Sequence, residues 1–182
     1  MLLPLGLTAF LLGCGRRVLD GCFNIDAIHH PKAPRAPELV HALAFDSEGK
    51  VTNPIPLPDG CADEVLALHV IEHVYAWEAP ALLAEWARLL KPGGLLVLEL
   101  PDIEWAARNL LNERGDQMAM WPLYGDPAPR DPFNCHRWGY TPTTIQALVM
   151  RGPFDPRTVK VLPPQTHGAR LDRDMRIEAR KG

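Results

Sequence analysis

Apolar residues follow two rhythms along the chain. Over Ala79–Leu90, Leu82, Leu83, Trp86, Leu89 and Leu90 fall at i, i+1, i+4, i+7 and i+8, one stripe of an α-helix. Glu85, Arg88 and Lys91 share the opposite face. Pro80 suits the first turn, and Lys91-Pro92-Gly93-Gly94 ends the helix. Thr141 as N-cap, Pro142 as first residue and Gly152 as stop define a helix over Pro142–Arg151. A third helix is predicted over Ile103–Glu113. Short apolar runs bounded by turn residues predict strands at Leu7–Leu12, Phe23–Asp26, Leu39–Ala44, Glu64–His69, Leu95–Leu100, Thr158–Leu162 and Met175–Ala179. This alternation argues for one domain over residues 1–182. The expected class is an α/β, doubly wound and mostly parallel sheet, its last two strands forming an antiparallel hairpin. Gly115–Trp138 carries Pro122, Pro127, Pro129 and Pro132 and is too long for an ordinary connection, so a functional loop or lid is expected at about 115–140.

Met1–Gly13 is almost wholly apolar, and Leu11-Leu12-Gly13-Cys14 imitates a lipoprotein cleavage box. No Lys or Arg precedes Arg16, however, so the positive start of a secretory signal is missing. The run is also far short of the roughly 20 residues of a membrane span. A buried first strand running into a glycine turn is favoured, with a lipid-anchored protein beginning at Cys14 as the rival. The chain has 182 residues, 47% hydrophobic and 23% charged, the values of a globular domain. A net charge of -3 argues against a nucleic-acid partner. Cys14, Cys22, Cys61 and Cys135 form no CxxC pair, so neither a zinc ribbon nor a disulfide framework is expected, and reduced thiols point to a cytoplasmic location.

Ligands of open α/β sheets bind outside the carboxyl ends of the central strands. The first strand ends in Gly13-Cys14-Gly15, where glycines let the backbone approach a ligand and amides can hold an anionic group. The second ends in Asp26, a carboxylate suited to ribose hydroxyls. Asp26 follows Gly15 by 11 positions, whereas dinucleotide sites expect about 20. The first crossover must be very short, and Arg17-Val18 stands where a third glycine should lie, which argues against a nicotinamide or flavin dehydrogenase.

Five segments occur in order: Leu12-Gly13-Cys14-Gly15, Gly21-x-Phe23-Asn24-Ile25-Asp26, Pro56-Leu57-Pro58-Asp59-Gly60-x-x-Asp63-Glu64-Val65, His69-Val70-Ile71-Glu72-His73 and Leu89-Leu90-Lys91-Pro92-Gly93-Gly94. The series resembles the class I S-adenosylmethionine-dependent methyltransferases of the broad type-11-like group. His136-Arg137-Trp138-Gly139-Tyr140-Thr141-Pro142, then Gly152-x-Phe154, is similar to that group's C-terminal part. The resemblance spans roughly residues 8–180 and implies a seven-stranded sheet with a terminal antiparallel strand, S-adenosylmethionine as cofactor, and methyl transfer. It implies that Gly13, Cys14 and Gly15 wrap the methionine part, that Asp26 takes the ribose hydroxyls, and that His69 passes beneath the cofactor near its methyl group. Leu68 and Ile71 become its apolar neighbours. Where many relatives have an Asp on the adenine amine, this chain has His41-Ala42-Leu43, so adenine recognition falls to backbone and apolar contacts, Leu43 among them, or to Asp46. The relatives' N-terminal covering helices have no counterpart before the first strand, which leaves the lid to 115–138. The missing carboxylate and cover also motivate a rival class, a degenerate domain that binds cofactor or a partner without catalysis.

His69-x-x-Glu72-His73 also reads as an inverted zinc-protease motif. It straddles a strand end and a loop, so its imidazoles need not converge; no metal is assigned, and a turn network capping the following helix is favoured for Glu72 and His73. His29-His30 reads as solvated. His136, beside Arg137, Trp138 and Tyr140, is either a base or a loop anchor. His69 and His136 are the candidate catalytic residues, needed only if the acceptor is protonated at neutral pH. Trp121, Tyr124, Phe133, Trp138 and Tyr140 either stack on a planar or sugar substrate or pack the loop. The expected partner is a small-molecule or sugar acceptor, without nucleic acid or membrane, and the protein a monomer or homodimer.

Overall fold

The computed structural model describes residues 8–112, 117–127, 130, 132–165 and 172–182, so Leu7, Glu113 and part of the expected lid lie outside the described residues. Seven strands, β1 (Ala9–Leu12), β2 (Cys22–Asp26), β3 (Leu39–Val40), β4 (Ala62–Leu68), β5 (Leu90–Pro101), β6 (Lys160–Leu162) and β7 (Asp174–Arg180), form one sheet in the order β3-β2-β1-β4-β5-β7-β6. β1 to β5 run parallel, and β7 lies antiparallel between β5 and β6. The helices are α1 (Ala79–Leu89), α2 (Ile103–Leu111), α3 (Gln117–Tyr124) and α4 (Pro142–Met150). The parallel sheet, the closing antiparallel strands and the three expected helices match the sequence reading.

The differences have local causes. The third strand keeps two residues, not six, because the Ala42 and Ala44 carbonyls accept from Asn53 Nδ2 (2.9 Å) and the Thr52 amide (2.8 Å). At 91–94 the chain does not pause in a turn. It enters β5 directly at Leu90, with Gly93 at φ +74° and a register shift opposite Ala62 and Glu64. Helix α3 went unread because Pro122 lies inside it, a residue that removes an amide donor and ordinarily ends a helix.

Strand alternation sorts the core. Phe10, Leu12, Val65, Ala67, Leu96 and Leu98 pack with Leu83, Trp86 and Leu89 of α1 and with Ile145 and Val149 of α4. On the other face, Leu11 and Leu68 pack with Cys14 and are covered by Val18, Leu19 and Cys22. The first crossover, residues 13–21, contains no helix, so a loop covers this face. Further along it, Glu99 of β5 pairs across the strands with Arg176 of β7 (3.0 Å). No helix among the described residues is long and apolar enough to cross a membrane.

Leu83 is fully buried where α1 meets the sheet. Leu83→Ala is expected to lower stability by about 2–5 kcal/mol in urea denaturation, the cost of lost burial plus a cavity.

Candidate functional site

The carboxyl ends of β1, β2 and β4 open on one cleft of about 1040 Å³. After Leu12, Gly13 and Gly15 take φ of +62° and +53°. A Cβ on Gly13 would lie 2.5 Å from Val70 Cγ2, so only glycine lets the loop pass this close to the residues after β4. Beside Gly15 nothing lies within 4 Å of where a Cβ would be. Cys14 turns inward onto Leu11 and Leu68. Burial, then the nearby Asp26 carboxylate, push its thiol up to about 12, so it stays neutral and unreactive at physiological pH. The lipid-anchor reading fails here: cleavage before Cys14 would remove β1, which lies between β2 and β4.

Side chains from β2 hold the loop in place of a helix. Asp26 Oδ2 accepts from the Gly15 amide (2.6 Å) and Oδ1 from the Ile28 amide (3.1 Å). A carboxylate has about four lone-pair sites, so Asp26 keeps acceptor capacity towards the cleft it lines. Asn24, fully buried, accepts from the Leu19 amide (2.8 Å) and donates to the Leu19 carbonyl (3.0 Å).

His69 follows β4 at φ +56°, rare for a residue with a Cβ, and its amide donates to the Glu99 carbonyl at 2.7 Å. Its Nδ1 lies 3.1 Å from Glu72 Oε1 and its Nε2 3.3 Å from Asp174 Oδ2. Burial alone would lower its pKa. Hydrogen bonds and charge from Asp174 and Glu72 outweigh that and raise it to about 9. At neutral pH the ring is therefore an imidazolium donating from both nitrogens. Glu72, wholly buried, is held below the usual carboxylate range: desolvation opposes this, and His69, His73 and His136 override it. Arg173 in turn grips Asp174 through Nε (2.7 Å) and Nη2 (2.9 Å).

Glu72 and His73 belong to a 3₁₀ turn, Ile71–His73, and the Glu72 carbonyl accepts from the Arg137 (2.8 Å) and Trp138 (3.2 Å) amides. His73 Nδ1 contacts the Cys135 carbonyl (3.2 Å), and His136 Nδ1 the Pro122 carbonyl (2.9 Å). The His136 contact is the loop anchor weighed from sequence, whereas Glu72 and His73 bind the 135–138 segment rather than capping α1, whose N-cap is Glu78 and has no side-chain cap bond. Burial lowers the His136 pKa. Next to the lining residues Val74 and Arg137, Tyr75 stacks on Trp77 (4.4 Å, 6°), and the Arg137 guanidinium lies 5.0 Å from the Tyr75 ring centre.

Of the residues chosen from sequence, Gly13, Cys14, Gly15, Asp26, Leu43, Leu68 and His69 line this cleft. Ile71 does not; at 2% exposure it belongs to the core. His136 also lies off the wall, packed edge-on against His73, which is on it. Asp46 lies off the wall too, accepting from the Glu48 and Lys50 amides of its own turn (2.9 Å each). Among the candidate aromatics Tyr140 is buried, Trp138 and Tyr124 are exposed, and the Phe133 side chain lies outside what is described. Sequence reasoning missed Arg16, Arg17 and Asn134 on the wall, and Asp174 behind His69. Paired arginines directly after a glycine loop were a readable signal; Asp174, 105 positions from its partner, carried none.

A family model described as a methyltransferase domain matches residues 32–98. No curated protein sequence matches the chain. Solved structures share the fold. A SAM-dependent methyltransferase of Thermotoga maritima, described as a possible histamine N-methyltransferase, has a TM-score of 0.59 at 16% identity, covering 100% of this chain and 84% of that one. A SAM-dependent methyltransferase of Mesorhizobium loti has a TM-score of 0.58 at 15% identity, covering 97% and 91%. The 1,6-didemethyltoxoflavin-N1-methyltransferase of Burkholderia thailandensis, solved with 1,6-didemethyltoxoflavin and S-adenosylhomocysteine, has a TM-score of 0.57 at 14% identity, covering 96% and 70%.

The raised His69 pKa sets the sign of a pH dependence. Its contribution to stability is fully present below the unfolded value of 6.5 and is lost as pH rises through about 9. NMR titration should find one imidazole titrating near 9. His69→Gln, which takes the nearest cation from buried Glu72 and leaves Asp174 to Arg173 alone, should lower stability at pH 6 by about 3–5 kcal/mol and flatten the loss between pH 6.5 and 9.

Proposed function

We propose that the chain is a class I S-adenosylmethionine-dependent methyltransferase, that the cleft beside Asp26 binds the cofactor, and that the aromatic pair next to the cleft presents a small planar or sugar acceptor to it. The observation that carries this reading is the convergence of the glycine loop, Asp26 and His69 on one cleft at the carboxyl ends of parallel strands. The residues fit the group. Asp26 retains lone pairs for ribose hydroxyls, and space lies open beside Gly15. Arg16 and Arg17 bring positive charge for a carboxylate, and Leu43, Phe45 and Leu68 offer apolar wall for a base.

S-adenosylmethionine, when bound, supplies a methyl group on an electrophilic sulfonium. The protein's task is alignment, which contributes up to about 7–11 kcal/mol to such reactions. His69 donates from both nitrogens and has no lone pair for an acceptor's proton, so we assign it a positioning role. The imidazolium and Arg173 balance the Glu72 and Asp174 carboxylates, leaving the cleft floor without net charge from these four groups. An acceptor that brings its own lone pair, such as a neutral nitrogen, then needs no base. N-methylation of small molecules is what the names of the Thermotoga and Burkholderia neighbours describe. Tyr75, Trp77 and Arg137 suit a flat ring by stacking and cation–π contact.

A helix-free first crossover and the lack of a carboxylate at 41–43 favour a second reading, a domain that binds without transferring. One titration separates the two. Wild type should bind S-adenosylmethionine and S-adenosylhomocysteine at one site per chain by calorimetry. Asp26→Asn keeps an oxygen for the Gly15 amide but loses the charge; it should weaken both at least about tenfold, or about 1.4 kcal/mol, with unchanged circular dichroism. Unchanged affinity in Asp26→Asn removes the ribose assignment. Tight binding by wild type with no transfer to any nitrogen acceptor supports the second reading.

A further inference from the structure

Among the described residues two buried side-chain atoms lack a hydrogen-bond partner, Glu72 Oε2 and the Tyr140 hydroxyl. A carboxylate oxygen left bare in the interior is costly. Its surroundings hold other lone pairs. One ligand-type atom from each of Glu72, His73 and His136 lies within 4.8 Å of the others. The two imidazoles meet edge to face, centroids 4.9 Å apart at 85°.

Tautomers follow from what each Nδ1 faces. The Cys135 and Pro122 carbonyls can only accept, so both Nδ1 atoms carry hydrogen and, in the neutral rings, both Nε2 atoms carry a lone pair. A histidine pinned through one nitrogen to a carbonyl, with the other left as donor, is the arrangement of metal-ligating histidines. Glu72 Oε1 is likewise occupied, by His69, which orients Oε2. One carboxylate oxygen and two imidazole nitrogens thus offer three electron-pair donors within 4.8 Å of one another. One water brings two hydrogens to three acceptors, whereas one cation satisfies all three.

We propose that Glu72, His73 and His136 bind one divalent transition cation of the zinc class. Two neutral imidazoles and one carboxylate suit such an ion, and Ca²⁺ or Mg²⁺ would want more oxygens. Bonds of about 2.0–2.2 Å put tetrahedral donors about 3.4 Å apart, so the side chains draw in by up to roughly 1.4 Å on binding. The ion joins the Ile71–His73 turn to the 132–138 segment, beside the cleft wall that His73 lines. The set differs from the inverted protease motif in sequence: His69 is spent on Glu72 and Asp174, and His136 replaces it. The assignment does not depend on the cofactor reading.

The test uses the full chain without a histidine tag, stripped by a chelator and titrated with Co²⁺ or Zn²⁺ alone. The expected result is one equivalent of Co²⁺ with the d–d absorption of four-coordinate cobalt, displaced by Zn²⁺. His73→Gln and His136→Gln should each weaken binding at least about tenfold, and Cys135→Ser should leave it unchanged. X-ray absorption of the zinc-loaded wild type needs no variant and should show nitrogen and oxygen neighbours only. The proposal is overturned by the absence of stoichiometric binding, by wild-type affinity in a folded His136→Gln protein, or by a sulfur shell.

Discussion

One imidazolium held between two buried carboxylates organises the floor of the cleft. His69 sits at the end of β4, Glu72 in the turn that follows, and Asp174 at the start of β7. Arg173 completes a four-member set with two positive and two negative groups. Removing such charges from water is expensive, and the cost is offset only when each charge is paired and hydrogen-bonded. The arrangement therefore holds together or fails together. It keeps His69 at positive φ and brings the terminal antiparallel strand to the edge of the cleft. It also leaves His69, which lines the cleft, without a lone pair at neutral pH, so this residue organises the site and takes no proton.

A second constraint is the missing helix between β1 and β2. In many nucleotide sites the first crossover helix presents its amide-rich end to a ligand. Here Asp26 and Asn24, both on β2, fix the loop through its own amides. Asp26 thus shapes the glycine loop with one oxygen while it faces the cleft. Arg16 and Arg17 supply charge where a helix terminus would have supplied a dipole.

The parts legible in sequence are those dictated by local periodicity. The apolar stripe of α1, the Thr141 N-cap of α4 and the buried runs of β1, β4 and β5 were readable because their neighbours in space are also neighbours in pattern. The glycine loop and Asp26 were readable because strand ends place them. Long-range partnerships were not. Asp174 meets His69, and His136 meets His73, only after distant segments fold together. Helix α3 was hidden by Pro122 and the shortness of β3 by Asn53, each a tertiary effect overriding a local rule. Ile71, taken as a cofactor neighbour, points into the core because the turn after His69 directs it there.

The most direct measurement is a crystal structure of the full chain grown with S-adenosylhomocysteine. The expected density places the ribose hydroxyls on Asp26, the amino-acid end against Gly13–Gly15 and the sulfur towards His69, with His69 still bonded to Glu72 and Asp174. Ligand density at another site, or a ribose with no contact to Asp26, would contradict the assignment of this cleft.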